Sequence, residues 1–121
     1  MWYNQIDQKE MEGKVFTRVY DNGDDLVFEN ETERYIFYHS QDCCESVYIE
    51  SITGDLSDLV GVPLLLSEEV SNDEGPLSDY EESYTWTFYK FGTIKGYVDV
   101  RWYGSSNGYY SESVSLRKES M

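Results

Sequence analysis

The chain has 121 residues, the size of one domain that buries a core without needing disulfides or a bound metal. Its 24 acidic and 9 basic side chains leave a formal net charge of −15, which disfavours direct binding to the phosphates of DNA or RNA. No apolar run approaches the roughly 20 residues of a membrane helix, and the polar, acidic N-terminus does not resemble a secretion signal. We therefore expect a single domain, residues 1–121, that is cytoplasmic and makes no membrane contact.

The first half of the chain carries the alternating apolar pattern of short strands. Residues 14–20 alternate between two faces, and residues 26–28 follow as a return strand. Between them, residues 21–24 contain Asn-Gly, the dipeptide that best tolerates the positive φ angles of a tight hairpin turn. After a second polar break, alternation resumes in residues 35–39 and again in residues 47–52. These segments predict four consecutive antiparallel strands.

The second half adds a short helix, a loop and further strands. Residues 54–61 have apolar side chains three and four apart and end in a glycine, which predicts one or two helical turns. Residues 68–82 are rich in acids, Ser, Asn, Gly and Pro and predict a loop. The remaining strands are expected at residues 62–66, 84–91, 95–103 and 109–116. The fold class is therefore mainly β, an antiparallel sheet of about seven strands folded as a sandwich or an open barrel, with one short helix.

His39, Asp42, Cys43, Cys44 and Glu45 come closest to a metal or catalytic cluster. A structural zinc site uses four ligands in spaced pairs, which this cluster lacks, and neighbouring carboxylates raise the pKa of a thiol. Adjacent cysteines point to opposite faces of a strand, so a disulfide between them would be strained and reduced thiols are expected. We expect no metal, no cofactor and no catalytic residue, so the chain is not an enzyme. A cysteine nucleophile with His39 as its base is the enzymatic alternative.

Acidic residues are concentrated in one part of the chain. No Lys or Arg occurs between Arg34 and Lys90, whereas these 55 residues carry 12 Asp and Glu. The acids of residues 68–82 are Glu68, Glu69, Asp73, Glu74, Asp79, Glu81 and Glu82. One interpretation is a solvated loop that keeps a small protein soluble. The other is a face whose carboxylates imitate a phosphate backbone and occupy a basic groove on another protein. That face would also include Glu45, Glu50, Asp55 and Asp58.

A second candidate contact surface lies in residues 102–110. This segment places aromatic side chains around Gly, Ser and Asn, a composition typical of protein contact surfaces because Tyr gives a large contact area at little entropic cost. Packing in the core and on a sheet face is the alternative for part of these rings. The candidate partner-binding residues of the segment are Trp102, Tyr103, Asn107, Tyr109 and Tyr110.

Two long segments carry distinctive strings. Residues 38–69 contain DCCESVYIE, and residues 86–114 contain RWYGSSNGYYS. In this order the two segments resemble a family of small proteins of unknown function that is found mainly in bacteriophage genomes. The resemblance covers about half of the chain, leaves out the first dozen residues and the acidic loop, and brings no catalytic residue with it.

The resemblance implies a phage context, in which small acidic proteins disable host enzymes or immune nucleases. Together with the acidity, it favours a non-enzymatic protein that binds and inhibits a host or anti-phage defence protein in the host cytoplasm, of the anti-CRISPR or anti-restriction type. The expected partner is a protein with a basic surface, such as a nuclease, and direct contact with nucleic acid is not expected. A small-molecule or nucleotide-signal binding protein, acting as a sponge, is the alternative function.

Overall fold

A computed structural model describes residues 6–41, 45–72, 83–106 and 112–120, and these form eight strands and two short 3₁₀ helices. The strands are β1 Arg18–Asp21, β2 Leu26–Glu29, β3 Glu33–Tyr38, β4 Ser46–Thr53, β5 Leu66–Asn72, β6 Ser83–Thr93, β7 Gly96–Ser106 and β8 Ser115–Ser120. The 3₁₀ helices are Gln8–Met11 and Leu56–Leu59. Within these residues, no helix has both the length and the apolar character needed to cross a bilayer.

The strands form two antiparallel sheets of four strands each. Sheet 1 has the order β1-β2-β3-β8, and sheet 2 has the order β4-β7-β6-β5. The predicted mainly β antiparallel fold is confirmed as a two-sheet arrangement. The expected run of four neighbouring strands is wrong at its last member, because β3 pairs with β8 and β4 is an edge strand of the other sheet. The chain therefore passes from sheet 1 to sheet 2 between β3 and β4. The two sheets pack with one apolar face of each against the other.

The hairpin between β1 and β2 is confirmed where the Asn-Gly dipeptide predicts it. Asp21 pairs with Leu26, and the side-chain oxygen of Asn22 accepts hydrogen bonds from the backbone N–H groups of Asp24 and Asp25 at 3.0 and 2.8 Å. Gly23 has a φ of 94°. The connection is therefore a four-residue loop that uses the Asn side chain as an acceptor.

The predicted loop over residues 68–82 is wrong in its first part. Residues 68–72 belong to β5, which pairs with β6 from Leu66 opposite Gly92 to Asn72 opposite Trp86. Acidic side chains are compatible with this strand because β5 lies at the edge of sheet 2, where charges reach solvent and discourage pairing with other chains. Residues 73–82 lie outside the described part of the chain.

The predicted short helix in residues 54–61 is present as the 3₁₀ helix Leu56–Leu59. Asp55 caps its N-terminus by accepting a hydrogen bond from the backbone N–H of Ser57 at 2.9 Å. Gly61 follows with a φ of 84°, the conformation for which a terminal glycine is favoured. The 3₁₀ helix Gln8–Met11 was not predicted.

Aromatic side chains fill the space between the sheets. Phe28 and Phe37 of sheet 1 are fully buried, as is Phe91 of sheet 2. Ring centroids lie 4.9 Å apart for Phe28 and Phe91, and 4.8 Å apart for Phe37 and Tyr89. Such pairs contribute about 0.5–1.5 kcal/mol each beyond the area they bury. The core therefore sits where β2 and β3 cross β6.

A row of alternating charges crosses the outer face of sheet 1. Glu29 contacts Arg18 at 3.5 Å and Arg34 at 3.0 Å. Glu119 contacts Arg34 at 3.5 Å and Arg117 at 3.0 Å. We call these five residues the charge ladder. Strand register places Arg18, Glu29, Arg34 and Glu119 in one row across the four strands of the sheet. Each of the two inner residues therefore lies between two residues of opposite charge.

Gly54 fills a tight position between β4 and the helix Leu56–Leu59. Its φ is 109°, and an added Cβ would lie 2.7 Å from the carbonyl oxygen of Tyr97 and 3.2 Å from Cα of Val98. Because these neighbours are backbone atoms of a central strand, we expect Gly54→Ala to lower the free energy of unfolding by about 2–4 kcal/mol. The measurement is urea denaturation. Gly23→Ala, with a φ of 94° and no described atom within 4 Å of its new Cβ, is the matched control and is expected to lose about 1 kcal/mol. Equal losses would contradict the packing argument.

Glu33 makes stability depend on pH at one end of sheet 1. Its carboxylate contacts Nζ of Lys118 at 2.8 Å and Nζ of Lys14 at 3.0 Å, and these hydrogen bonds lower the pKa of the Glu33 carboxyl. A lowered pKa stabilises the fold above the unfolded-state pKa, and this contribution is lost as pH falls through the folded-state pKa. We expect Glu33→Gln to be less stable than the wild type at neutral pH, with the difference shrinking below about pH 4. Urea unfolding across this range measures it, with exposed Glu31→Gln as the control. A difference independent of pH would refute the assignment.

Candidate functional site

The outer face of sheet 1 is closed by its own side chains. Val27, Ile36 and Tyr38 form a small buried apolar cluster there. The guanidinium carbon of Arg117 lies 4.5 Å from the centre of the Tyr38 ring, and that of Arg18 lies 4.2 Å from the Tyr20 ring. These arginines also belong to the charge ladder. They therefore cover the aromatic rings of this face and pair with its glutamates at the same time.

Among the described residues, the outer face of sheet 2 carries a depression with a volume of about 410 Å³, whereas Trp86 and Tyr103 on the same face are buried. Two rows of side chains cross the strands here, as the register shows. The first row is Ser51, Arg101, Phe88 and Val70, and the second is Thr53, Asp99, Lys90 and Glu68. Apart from Ser51, all of these residues line the depression. We call this region the sheet 2 depression.

Arg101 is held on this face by aromatic rings and a carboxylate. Its guanidinium carbon lies 4.7 Å from the centre of the Trp86 ring and 5.6 Å from that of Phe88, distances at which cation–π attraction operates. Its Nε lies 3.7 Å from Oε1 of Glu50. Glu50 occupies an irregularity of β4 next to Ser51, and bulges of this kind re-aim side chains. The irregularity thus brings a carboxylate to a guanidinium that two rings already contact.

Lys90 lies between two carboxylates in the second row. Glu68 is its cross-strand neighbour on β5, and Asp99 is its neighbour on β7. Among the described residues, neither carboxylate makes an ion pair within 4 Å. Nζ of Lys90 lies 5.4 Å from the centre of the Tyr97 ring. The row therefore carries two carboxylates and one ammonium group, next to the partly exposed Phe88 and to Val70, which is 56% exposed.

Glu68 and Glu69, both predicted to bind a partner, point to opposite faces of sheet 2. Glu68 is exposed beside the depression. Glu69 is the cross-strand neighbour of the inward-facing Tyr89, and burial together with the nearby Asp7 raises the pKa of the Glu69 carboxyl. Burial, with a smaller effect of Glu69, also raises the pKa of Tyr89. Of this pair, Glu68 alone belongs to the outer face.

The two described aromatic candidates also differ. Trp102 has no exposed surface and lies in the core between the sheets, so its indole is not available to a partner and core packing explains it. Tyr103 faces outward, where its ring packs 4.6 Å from that of Trp86, but it is 1% exposed. The remaining predicted residues lie outside the described part of the chain and stay predictions: Asp73, Glu74, Asp79, Glu81, Glu82, Asn107, Tyr109 and Tyr110.

The ends of the acidic and aromatic segments meet at one end of sheet 2. Asn72, which precedes the acidic segment 73–82, pairs with Trp86, and Ser83, which follows it, pairs with Ser106. Ser106 is also the last described residue before segment 107–111. The two segments predicted to bind a partner are therefore attached to adjacent strand ends, on the sheet that carries the depression.

The other acids expected on a shared acidic face are dispersed, which corrects that expectation for the described residues. Glu45 is buried, and Glu50 pairs with Arg101. Asp55 and Asp58 belong to the turn near the β6–β7 connection, at the opposite end of sheet 2. There the backbone N–H of Ser57, and then its hydroxyl, lower the pKa of the Asp55 carboxyl. The carboxylates of Glu45, Glu50 and Asp55 contact neighbouring groups of the fold, which composition does not reveal.

His39 and Glu45 form a buried pair instead of a surface cluster. Nε2 of His39 lies 3.0 Å from Oε2 of Glu45, and Nδ1 lies 2.8 Å from the carbonyl oxygen of Ser113. Because a carbonyl only accepts, Nδ1 carries a proton and donates. The pair joins the end of β3 to the chain before β4 and to the chain before β8. Asp42, Cys43 and Cys44 lie outside the described residues, so the thiol–imidazole alternative stays a prediction.

Glu112 anchors the chain beside this pair. Its carboxylate accepts hydrogen bonds from the hydroxyl of Ser106 at 2.5 Å and from that of Thr85 at 2.8 Å. Both hydroxyls act as donors to a nearly buried carboxylate, and they tie the segment before β8 to the ends of β6 and β7. The arrangement is that of a structural polar cluster.

Sequence reasoning missed the residues that build the depression, above all Phe88, Lys90, Asp99 and Arg101. A signal was present, since alternation places Trp86, Phe88 and Lys90 on one face of a strand. The opposite face of the same strand carries Tyr89 and Phe91, which are equally apolar. The pattern therefore predicts the two faces but not which of them is buried.

The fold and the site define a class: a two-sheet antiparallel β protein in which, among the described residues, the outer face of sheet 1 is covered by its own arginines and that of sheet 2 carries an aromatic and charged depression. A family model described as a domain of unknown function, DUF7448, matches residues 7–116, and the chain belongs to this family. The match extends over the acidic segment and half of the N-terminal dozen residues, which the resemblance of the two distinctive strings left out. No curated protein and no solved structure matches the chain.

Glu112 provides a test of the polar cluster. Glu112→Ala removes the acceptor of two hydrogen bonds, and we expect it to lower the free energy of unfolding by about 2–3 kcal/mol. Glu112→Gln keeps a carbonyl acceptor and is expected to cost about 1 kcal/mol. Urea denaturation measures both, with Glu31→Ala as an exposed control that changes stability by less than about 0.5 kcal/mol. If Glu112→Gln and Glu112→Ala lower the free energy of unfolding equally, Glu112 does not stabilise the fold through hydrogen bonds.

Proposed function

We propose that this chain is a non-enzymatic protein that binds a partner protein with a basic surface, using the outer face of sheet 2 and the acidic and aromatic segments attached to its end. The observation that supports this is the attachment of both segments to adjacent strand ends of the sheet whose outer face carries the depression. Sheet 1 offers no comparable surface among the described residues, because its arginines cover its apolar cluster.

The charge of the chain indicates that the partner is a basic protein. Residues 35–89 hold 12 of the 15 net negative charges, and five of the acids lie in segment 73–82. At physiological ionic strength, fields from such charges extend about 8 Å, enough to steer an approaching basic protein and to repel nucleic acid. In the phage context implied by the two distinctive strings, the partner is a host or anti-phage defence protein that this chain blocks.

A second candidate function is the binding of a small molecule or nucleotide signal. The volume of the sheet 2 depression lies within the range of ligand pockets, about 300–1,000 Å³, and its floor includes an aromatic ring. Thermal unfolding with nucleotides and cyclic nucleotides separates the two functions. A ligand at a hundred times its Kd adds about 2.7 kcal/mol to stability, whereas a protein-binding surface gives no such shift.

The proposed function predicts an affinity that depends on salt and on segment 73–82. The test variant carries Asp73→Asn, Glu74→Gln, Asp79→Asn, Glu81→Gln and Glu82→Gln. The control variant removes the same charge elsewhere, through Glu10→Gln, Asp21→Asn, Asp24→Asn, Asp25→Asn and Glu31→Gln. A partner is captured from lysate of the host cell, purified, and titrated with each protein between low and physiological ionic strength.

We expect the test variant to bind the partner at least about tenfold more weakly than the control variant and with less dependence on salt. The reason is that only the test variant loses charges next to the proposed surface. A partner whose affinity ignores salt, or is lowered equally by the two variants, contradicts the electrostatic basis of the proposal.

A further inference from the structure

We propose that the sheet 2 depression is a pocket for an arginine side chain of the partner, held between Glu68 and Asp99 and against the ring of Phe88. This inference rests on the proposed function and specifies which contact the partner makes. It commits to a guanidinium group as the occupant, because the depression offers the two features that a guanidinium uses, carboxylate oxygens and an aromatic face.

The chain itself shows that this face accommodates a guanidinium. Arg101 lies 4.7 Å from the Trp86 ring centre with Glu50 at 3.7 Å. Phe88, whose ring Arg101 contacts at 5.6 Å, also lines the depression together with Glu68, which lies one row away on β5. The exposed Val70 lies directly opposite Phe88 and provides apolar surface for an aliphatic stem. Arg101 is the β7 neighbour of Phe88, whereas the row that contains Glu68 includes no arginine.

The charges around the depression leave room for one more cation. Arg101 and Glu50 form a pair, while Glu68 and Asp99 share Lys90 as their cross-strand neighbour. Lys90 in turn lies near the Tyr97 ring, at 5.4 Å. The five charges sum to −1, and an incoming guanidinium would give each carboxylate its own counter-charge. An anionic occupant would instead place its charge between two carboxylates.

Two other occupants fit the observations less well. A lysine would supply the charge, but its ammonium group neither stacks on a ring nor forms parallel hydrogen bonds to carboxylates. A second copy of this chain also carries a charge of −15, and three of its four arginines already belong to the charge ladder. A basic partner protein that presents an arginine is the occupant with both the correct long-range charge and the correct local chemistry.

The test uses small probes on the intact protein, so it does not depend on knowing the partner. Nuclear magnetic resonance titrations with acetyl-arginine amide, acetyl-lysine amide and acetyl-glutamate amide follow the backbone N–H signals of β5, β6 and β7. The expected result is a saturable shift confined to the depression, strongest for the arginine probe. A glutamate probe that binds more tightly than the arginine probe overturns the proposal.

Three variants test whether the pocket binds a cation or an anion. Glu68→Gln combined with Asp99→Asn should weaken arginine binding about five- to tenfold. Lys90→Gln should strengthen it, because it removes a competing cation while keeping both carboxylates. Glu31→Gln removes a distant charge and should leave binding unchanged. Weaker arginine binding by Lys90→Gln overturns the proposal, since the pocket would then be using Lys90 to hold an anion. All variants are first checked for unchanged thermal unfolding.

The same variants separate this inference from the proposed function. If the partner and the arginine probe both bind the Glu68→Gln/Asp99→Asn double variant more weakly than the wild type, the arginine pocket and the proposed function are both supported. If the partner binds this variant as tightly as the wild type, the pocket is refuted while the proposed function remains. If the probe binds as expected but no partner shows salt-dependent affinity, the pocket remains and the proposed function fails.

Discussion

The side chain of Phe91, fully buried between the two sheets, is the contact on which the architecture depends. Its ring centre lies 4.9 Å from that of Phe28 and 5.6 Å from that of Phe37, so one residue of sheet 2 contacts two neighbouring strands of sheet 1. Because successive side chains of a strand point to opposite faces, an inward Phe91 directs Phe88 and Lys90 outward. The core therefore decides which side chains of β6 form the candidate site.

The rest of the site follows from strand register. β6 and β7 pair in one continuous register over their full length, which places Arg101 beside Phe88 and Asp99 beside Lys90. The pairing of β4 with β7 is irregular, and the residue at the irregularity, Glu50, is the one that contacts Arg101. A regular strand pair thus builds an aromatic platform, and a local defect in its neighbour supplies a carboxylate. Both features contribute to holding the guanidinium of Arg101.

Local features of the fold could be predicted from the sequence, and features that depend on distant pairing could not. The Asn-Gly turn and the two long strands β6 and β7 were predicted because turn chemistry and alternation act over a few residues. The pairing of β3 with β8 leaves no trace in local pattern. Both alternating sets of β6 are aromatic, so Phe88 and Phe91 look alike until the core is known. Glu45 was grouped with surface acids because composition does not distinguish a carboxylate buried beside His39 from a solvated one.

The distribution of charge indicates which sheet a basic partner approaches, in addition to the charge that the partner carries. On sheet 1, three arginines and two glutamates contact one another in the charge ladder, so the outer face is close to neutral. On sheet 2, Lys90 is the one basic neighbour that strand register gives Glu68 and Asp99 among the described residues, and the most acidic segment of the chain is attached to the sheet's end. Under the proposed function, a basic partner gains electrostatic energy by approaching sheet 2 and little by approaching sheet 1. Long-range attraction then delivers the partner to a face where carboxylates, an aromatic ring and exposed Val70 lie together.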